Sequence, residues 1–160
     1  MTAAAEEPAP RGPGNDLQKV ADLLGGPRIL SRHISSPLDA HELLLDGLPG
    51  SALTHFVRHL LFIQTDSLEK AFGMSLRTFQ RRKDAPDKPL SQEQSGRTWK
   101  FAEILAKATD VFGSQGEAEQ WLEHPAIGLN QRRPIDLLVT PAGIELVEQY
   151  LTRLAYGVYA

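Results

Sequence analysis

Apolar residues recur at helical spacing along most of the chain. One stripe runs from Leu17 to Leu24, a second from Leu53 to Leu61, a third from Trp99 to Phe112 and a fourth from Ile144 to Ala155. The first two follow the i, i+3, i+4, i+7 spacing of an amphipathic helix, and the other two repeat every three to four residues. No segment shows the sustained alternation of apolar and polar residues that indicates a β-strand. The pattern therefore predicts an all-α fold.

Capping signals predict where several of these helices begin and end. Gly25-Gly26-Pro27 should end the first helix, and Ser36-Pro37 should begin a short second one. Ser91 and Ser114 each stand three residues before Gln or Glu, which is the spacing of a capping box. Thr140-Pro141 should begin the last helix. The chain is thus expected to consist of short helices joined by tight turns.

The chain is predicted to hold two helical domains behind a disordered tail. Residues 1–16 are rich in Ala, Pro, Gly and Glu and lack periodicity, which is typical of a disordered segment. A first helical domain is expected over 17–96 and a smaller C-terminal domain over 97–160. Residues 126–140 predict a loop with one turn of helix after Pro134.

Composition narrows the classes of protein that fit. The 160 residues carry a formal net charge of −3, so there is no global basic field for a polyanion, although a local basic patch remains compatible. The absence of cysteine excludes disulfides, thiolate metal sites and cysteine nucleophiles, and it suits a reducing compartment. The N-terminus is acidic where a signal peptide is basic, and no apolar run could cross a membrane. We expect a soluble cytoplasmic protein.

The segment SLEKAFGMSLRTFQRRK, residues 67–83, is the most informative part of the chain. Its two short helices meet at Gly73, as in a helix-turn-helix, whose second helix enters the major groove of DNA. Ser75 stands where it can cap that second helix. Glu69 departs from the usual motif, because a small residue normally stands four positions before the glycine, where the helices cross. The segment predicts a DNA-binding domain.

The second helix concentrates positive charge. Residues 75–83 carry four positive charges and no negative one, in a chain that is negative overall. On a helical wheel Leu76 and Phe79 point together towards a core, and the polar residues occupy the outward face and its flanks. Guanidinium groups on that face suit phosphates and guanine, and the hydroxyl and amide groups suit bases or backbone. The alternative is a solvated basic surface. The predicted DNA-binding residues are Ser75, Arg77, Thr78, Gln80, Arg81, Arg82 and Lys83.

The end of the chain is apolar and aromatic, whereas most chain ends are polar. The apolar stripe of the last helix faces inwards while Arg153 points away, and Gly157 stands where it can act as a hinge or a helix cap. Two tyrosines within the last five residues suggest an end that binds a partner, or one that packs on its own domain. The residues predicted to form this surface are Arg153, Tyr156, Gly157, Val158, Tyr159 and Ala160.

No motif predicts catalysis, a cofactor or a metal. His55 and His59 have the spacing of a metal-binding pair, but Phe56 replaces the glutamate of a hydrolytic zinc helix and no third ligand is evident. No nucleophile motif is present. Trp99 and Trp121 stand at helical spacing with other apolar residues and are expected in the core.

Several short segments gain meaning in combination. They are Gly73-Met74-Ser75-Leu76-Arg77-Thr78-Phe79-Gln80-Arg81-Arg82-Lys83, Pro89-Leu90-Ser91, Trp121-Leu122, Arg133-Pro134-Ile135-Asp136-Leu137-Leu138, Thr140-Pro141-Ala142-Gly143 and Leu151-Thr152-Arg153-Leu154-Ala155-Tyr156-Gly157-Val158-Tyr159-Ala160. Together they resemble the Xre/MbcA/ParS antitoxin family over about residues 50–160. Each segment alone is weak, so the specificity lies in the combination. Residues 17–48 carry no matching motif.

This resemblance implies a helix-turn-helix antitoxin with a C-terminal toxin-binding domain. The implied partner is a RES-domain toxin that consumes NAD. The resemblance also implies that the C-terminus approaches the active-site cleft of that toxin and keeps NAD out. The toxin-binding role of Arg153 and of residues 156–160 is therefore an expectation drawn from the family.

Operator DNA is the second expected partner. Because helix-turn-helix proteins usually pair two half-sites, we also expect a homodimer. Its surface could lie on the apolar faces of the helices at 92–112 and 141–155, although either face could instead belong to the core of the chain itself. Two alternatives stay open. One is a plain transcriptional regulator without a toxin partner, and the other is a non-catalytic adaptor whose basic helix faces an acidic protein.

Overall fold

The computed structural model describes residues 13–157, and the all-α prediction is confirmed over that part of the chain. Two 3₁₀ segments, η1 (Ile127–Leu129) and η2 (Pro134–Val139), separate the last two α-helices, where the sequence predicts a single turn. The α-helices are α1 (Pro13–Leu23), α2 (Gly26–Leu30), α3 (Pro37–Asp46), α4 (Gly50–Arg58), α5 (Thr65–Phe72), α6 (Leu76–Asp84), α7 (Gln92–Phe112), α8 (Gln115–Glu123) and α9 (Pro141–Ala155).

The helix starts predicted from capping signals are confirmed, but the capping box predicted at Ser114 is formed only in its serine half. Ser36 and Ser91 form full capping boxes with Asp39 and Gln94, and the side chains of Ser114 and Thr140 each accept one backbone N–H of the helix that follows. Each cap satisfies donors that the first turn of a helix leaves without a partner. Local residue types therefore account for the starts of these helices.

One predicted boundary near the N-terminus is wrong. The first helix begins at Pro13, within the segment predicted as a disordered tail, and residues 1–12 lie outside the described part. The first helix ends at Leu23, before the glycine pair, as predicted, and Gly25 and Gly26 take positive φ values (103° and 69°) that turn the chain directly into α2. Pro27 lies in the first turn of α2, where its missing N–H carries no cost.

The core is built around α7, which buries side chains on several sides. Helices α1, α3, α5, α8 and α9 all pack against it. Phe56, Phe72 and Phe101 bring α4, α5 and α7 together, with ring centroids 5.3 to 5.9 Å apart. Trp99 is buried as predicted, and Trp121 is half-buried between Phe112 and Tyr150. The predicted domain boundary at 96/97 lies inside α7 and stays a prediction.

A buried carboxylate joins α8 to the loop that precedes α5. Glu119 is fully buried, and its Oε1 accepts the backbone N–H groups of Leu61, Phe62 and Ile63 at 2.8, 3.0 and 3.3 Å. Gln115 donates to Oε2 at 2.9 Å. Because the carboxylate holds the backbone of this loop, the side chains of Leu61 and Phe62 remain exposed. The expectation that Leu61 continues the apolar stripe of α4 is therefore wrong.

Candidate nucleic-acid interface and C-terminal surface

Helices α5 and α6 form the predicted helix-turn-helix, with its turn at Gly73. This glycine has φ 65° and ψ 31°, a left-handed conformation that favours glycine. A Cβ atom here would overlap the guanidinium group of Arg97, which donates to the backbone oxygen of Lys70 at 2.6 Å. A larger residue would be strained by its backbone and would displace this arginine. The positive φ is therefore the main reason for glycine at this turn, and the position of Arg97 is a secondary one.

Polar groups hold the start of α6. Ser75 Oγ accepts the N–H of Thr78 at 3.2 Å, and Glu69 Oε1 accepts the N–H of Leu76 at 3.0 Å. The hydroxyls of Ser75 and Thr78 also lie 3.2 Å apart. Glu69 is the residue that departs from the usual motif, and its carboxylate here serves as a cap from one helix to the next. A negative charge at a helix N-terminus also complements the helix dipole.

The exposed face of α6 differs from the predicted one. Leu76 is 53% exposed, so the prediction that it points into a core with Phe79 is wrong. The half-buried residues are Thr78, Phe79 and Arg82. Helix α6 buries no residue completely. Its half-buried residues Phe79 and Arg82, three positions apart, define the side that packs on the protein, and Leu76 points outwards. The exposed residues of the predicted interface and its surroundings are Ser75, Leu76, Arg77, Gln80, Arg81 and Lys83.

Arg82 is separated from the other arginines. Its Nη2 lies 3.5 Å from Gln94 Oε1 on α7, and its Nε is buried without a partner among the described residues. The predicted common outward face of Arg77, Arg81 and Arg82 is therefore wrong for Arg82. Arg77 and Arg81 are exposed and have no ion pair or hydrogen bond in the described part of the chain. Their charge is available to a polyanion.

Helix α9 has one face in the core and one in solvent. Val147 and Leu151 are fully buried, whereas Ala155, which the predicted inner stripe includes, is exposed. The outer face carries four exposed residues at a spacing of three to four, namely Leu146, Gln149, Arg153 and Tyr156.

The outer face of α9 leads directly to the predicted partner-binding end. Tyr156 is 80% exposed. Gly157 has φ 68° and donates its N–H to Leu154 O at 3.1 Å, so it caps the helix as predicted. Val158, Tyr159 and Ala160 lie outside the described residues. The side chain of Tyr156 therefore faces solvent and does not pack on its own domain.

The C-terminal motif segments form a compact structural unit. Arg133 donates to both carboxylate oxygens of Asp136 at 2.8 and 2.9 Å and to Glu123 at 3.1 Å. Lys70 of α5 reaches the same Asp136 at 3.2 Å, so this cluster ties the helix-turn-helix to η2. The Arg133 hydrogen bonds, assisted by Lys70, hold the pKa of Asp136 below its usual value. A Cβ atom at Gly143 would overlap the backbone carbonyl of Leu137.

The described part of the chain contains no group of side chains that could hold a metal ion and no helix that could span a membrane. The rings of His55 and His59 lie with centroids 4.2 Å apart, and no cluster of three potential ligands occurs among residues 13–157. The pKa of His55 is lowered, mainly because the ring is partly buried and to a lesser degree because of the electrostatic effect of His59 and Arg58. None of the described helices is long and apolar enough to cross a membrane.

Two sequence profiles match adjacent parts of this fold. The Antitoxin Xre-like helix-turn-helix domain matches residues 39–103, which contain α5 and α6. The Antitoxin Xre/MbcA/ParS C-terminal toxin-binding domain matches residues 107–157, which contain η2 and α9. The chain belongs to the Xre/MbcA/ParS antitoxin family. It is a non-enzymatic antitoxin of a type II toxin–antitoxin system, with a DNA-binding domain and a toxin-binding domain.

Full-length relatives agree with this assignment. Antitoxin Xre of Pseudomonas putida is 29% identical over 126 residues, which are 78% of this chain and 76% of that protein. Antitoxin Xre of Yersinia enterocolitica is 28% identical over 137 residues, 83% and 92% of the two chains. The Prs ADP-ribosylating antitoxin of Sphingobium is 27% identical over 135 residues, 79% and 84% of the two chains.

The roles of individual residues in this Xre-family antitoxin stay predictions. The structure places Arg77, Gln80, Arg81 and Lys83 on one exposed region and leaves Arg82 apart from them. Sequence reasoning missed the exposure of Leu76, and it missed Leu146 on the outer face of α9, 50% exposed. Leu146 could have been found from the α9 stripe, since it stands one residue before Val147 and therefore about 100° around the helix from that stripe.

Proposed function

We propose that this antitoxin neutralises a RES-domain toxin that consumes NAD, and that it represses its own operon by binding operator DNA in the cytoplasm. The observation that carries the proposal is the presence of two separate exposed surfaces. One is the cationic face of α6, and the other is the outer face of α9 with Tyr156. Neither function requires a cofactor.

Operator binding is assigned to α6. Arg77 and Arg81 supply the main contacts, because both are exposed and without ion pairs in the described chain. Gln80 and Lys83 extend the same surface. Ser75 and Thr78 contribute less to phosphate binding, because both take part in the hydrogen bonds that cap α6. Arg82 has the weakest support of the predicted set because Gln94 draws it towards α7.

Salt-dependent binding tests this assignment. Arg77→Ala with Arg81→Ala should weaken binding to the DNA upstream of the antitoxin gene. It should also flatten the dependence of log K on log salt, by about one unit for each phosphate that the variant no longer neutralises. Arg28→Ala is the matched control, since Arg28 is exposed on α2. Wild-type binding by the double variant would show that α6 is not the reading helix.

Toxin binding is assigned to Arg153 and the end of the chain, Tyr156 to Ala160. Tyr156 is exposed at the end of a helix whose inner face is fixed in the core, so a rigid support presents the segment and less entropy is lost on binding. Tyrosine can bury its ring in a cleft and keep a hydrogen bond. Arg153 stands one turn before, on the same face, where it can pair with an acidic group of the toxin.

A chain that ends at Ala155 tests the second surface. Co-expressed with the toxin, it should fail to protect cells while it keeps its melting temperature within a few degrees and still binds operator DNA. Full protection by this folded variant would place neutralisation elsewhere on the domain. Loss of folding would show instead that the end of the chain belongs to the protein's own core.

NAD consumption is the finer part of the proposal. It rests on the family resemblance and on the Sphingobium relative, whose name refers to ADP-ribosylation, a reaction that uses NAD as its donor. Expression of the neighbouring reading frame alone should stop growth and deplete cellular NAD, and co-expression of the antitoxin should prevent both. If expression of the neighbouring reading frame does not affect growth or NAD, the alternative of a plain regulator without a toxin partner would be favoured.

A homodimer completes the proposal, because one short recognition helix reads only a few base pairs. The apolar faces of α7 and α9 are not available for it, since their central residues are buried within the chain itself. Light scattering should give twice the monomer mass, and the operator should contain two half-sites related by a dyad. A monomer at tens of micromolar, with an operator that lacks a dyad, would contradict the dimer.

A further inference from the structure

Leu76 is a half-exposed apolar residue at the start of α6. It is the first residue of that helix and is 53% exposed; the other exposed leucines of the described residues, Leu38, Leu45, Leu61 and Leu146, lie outside α6. One side of the Leu76 side chain borders an apolar cavity of about 160 Å³ that Phe72 and Phe79 also line. The other side faces solvent beside the exposed Arg77, where a ligand that approaches the start of α6 can reach it.

The neighbours of Leu76 point to DNA. At about 100° per residue, Leu76 and Gln80 lie in one row of the helix surface and Arg77 and Arg81 in the next. The N-terminal residues of the second helix of a helix-turn-helix contact base edges in the major groove. Leu76 thus occupies the position nearest the bases, beside two cations that attract the phosphates.

We propose that Leu76 is a specificity-determining residue that contacts the C5 methyl group of a thymine in each operator half-site. Thymine is the base that presents a methyl group in the major groove, and apolar side chains recognise it by contact. A carbonyl or amino group opposite Leu76 would lose water without gaining a hydrogen bond, so other bases are disfavoured at this position. The inference rests on the proposed operator binding by α6.

Deoxyuridine scanning tests it with the full-length antitoxin. In the duplex upstream of the gene, each thymine is replaced in turn by deoxyuridine, which lacks only the methyl group. The affinity of the wild type for the duplex should fall about fourfold when one particular thymine in each half-site is replaced, which is the factor for one buried methyl-sized group. In Leu76→Ala the same replacement should not change the affinity. Leu76→Met keeps an apolar contact and should therefore retain most of the sensitivity to this replacement.

Leu61→Ala is the matched control, because Leu61 is also exposed but lies outside α6. This variant should respond to deoxyuridine as the wild type does, and thermal melts should show that all variants fold. Salt-dependent binding without sensitivity at any thymine, or sensitivity retained in Leu76→Ala, would overturn the role of Leu76 alone. No salt-dependent binding to the duplex by the wild type would overturn the proposed operator function and this inference with it.

Discussion

Helices α6 and α9 both present an exposed face with a proposed function, but they are held in place by different forces. Helix α9 is fixed by apolar packing, with Val147 and Leu151 fully buried and Gly143 pressed against the chain before it. Helix α6 buries no residue completely. Its start depends on two hydrogen bonds that its backbone N–H groups donate to the side chains of Ser75 and Glu69, and Phe79 supplies its apolar anchor.

This difference has consequences for stability and for recognition. Apolar burial contributes strongly to the free energy of folding, so α9 can carry an exposed face without risk to the domain. A helix held mainly by exposed polar contacts contributes less, and it leaves the side away from Phe79 open to a ligand. Helix α6 is thus the weaker of the two elements, and in its proposed role DNA would stabilise it by binding.

Truncation of an anchor in each helix should show this contrast most clearly. Leu151→Ala should lower the free energy of unfolding by about 2–5 kcal/mol, because it leaves a cavity at a fully buried position. Phe79→Ala should cost less despite its larger ring, since Phe79 is only half-buried. Urea denaturation measures both values. An equal or larger loss in Phe79→Ala would show that α6 is anchored as firmly as α9.

Glu119→Gln should give the next largest effect. The amide keeps one oxygen acceptor for the loop but puts an NH₂ group where Oε2 accepts from the Gln115 side chain and from the Leu61 N–H, and an unsatisfied buried donor costs about 1–3 kcal/mol. Glu117→Gln is the control, because Glu117 is exposed on the same helix and should change stability by less than about 0.5 kcal/mol. Equal urea midpoints for the two variants would contradict the role of the buried carboxylate.

The same division between apolar and polar support explains how far the sequence could predict the molecule. The helices with a strong stripe or a capping box, such as α7 and α9, are recognisable from local patterns. The rotation of α6 is not, because it depends on tertiary contacts of Phe79 with the core and of Arg82 with Gln94. The loop role of Glu119 is equally hidden, since its partners are backbone groups 56 to 58 residues away.

Loss of the α6 cap should have a smaller and local effect. Ser75→Ala removes the acceptor for the N–H of Thr78 and should cost about 1 kcal/mol. Because α6 has little other support, hydrogen exchange should accelerate in α6 while α9 remains protected. Ser114→Ala, the corresponding cap of α8, should cost a similar amount without faster exchange in α6. Uniform exchange along the whole chain in Ser75→Ala would show that α6 does not open alone.

The Asp136 cluster, which ties α5 to η2, should give the smallest effect and one that depends on pH. Arg133 and Lys70 lower the folded-state pKa of Asp136, so its charged form stabilises the fold. This contribution is fully present above the unfolded-state pKa of about 3.9 and is lost as the pH falls through the lower folded-state value. Asp136→Asn should therefore be less stable than the wild type at pH 7, and the difference should shrink below about pH 4. Asp87→Asn, in the exposed linker, should follow the wild type at every pH. Urea titrations from pH 7 to 3 measure the difference, and a constant gap between wild type and Asp136→Asn would mean that the aspartate acts by packing rather than by charge.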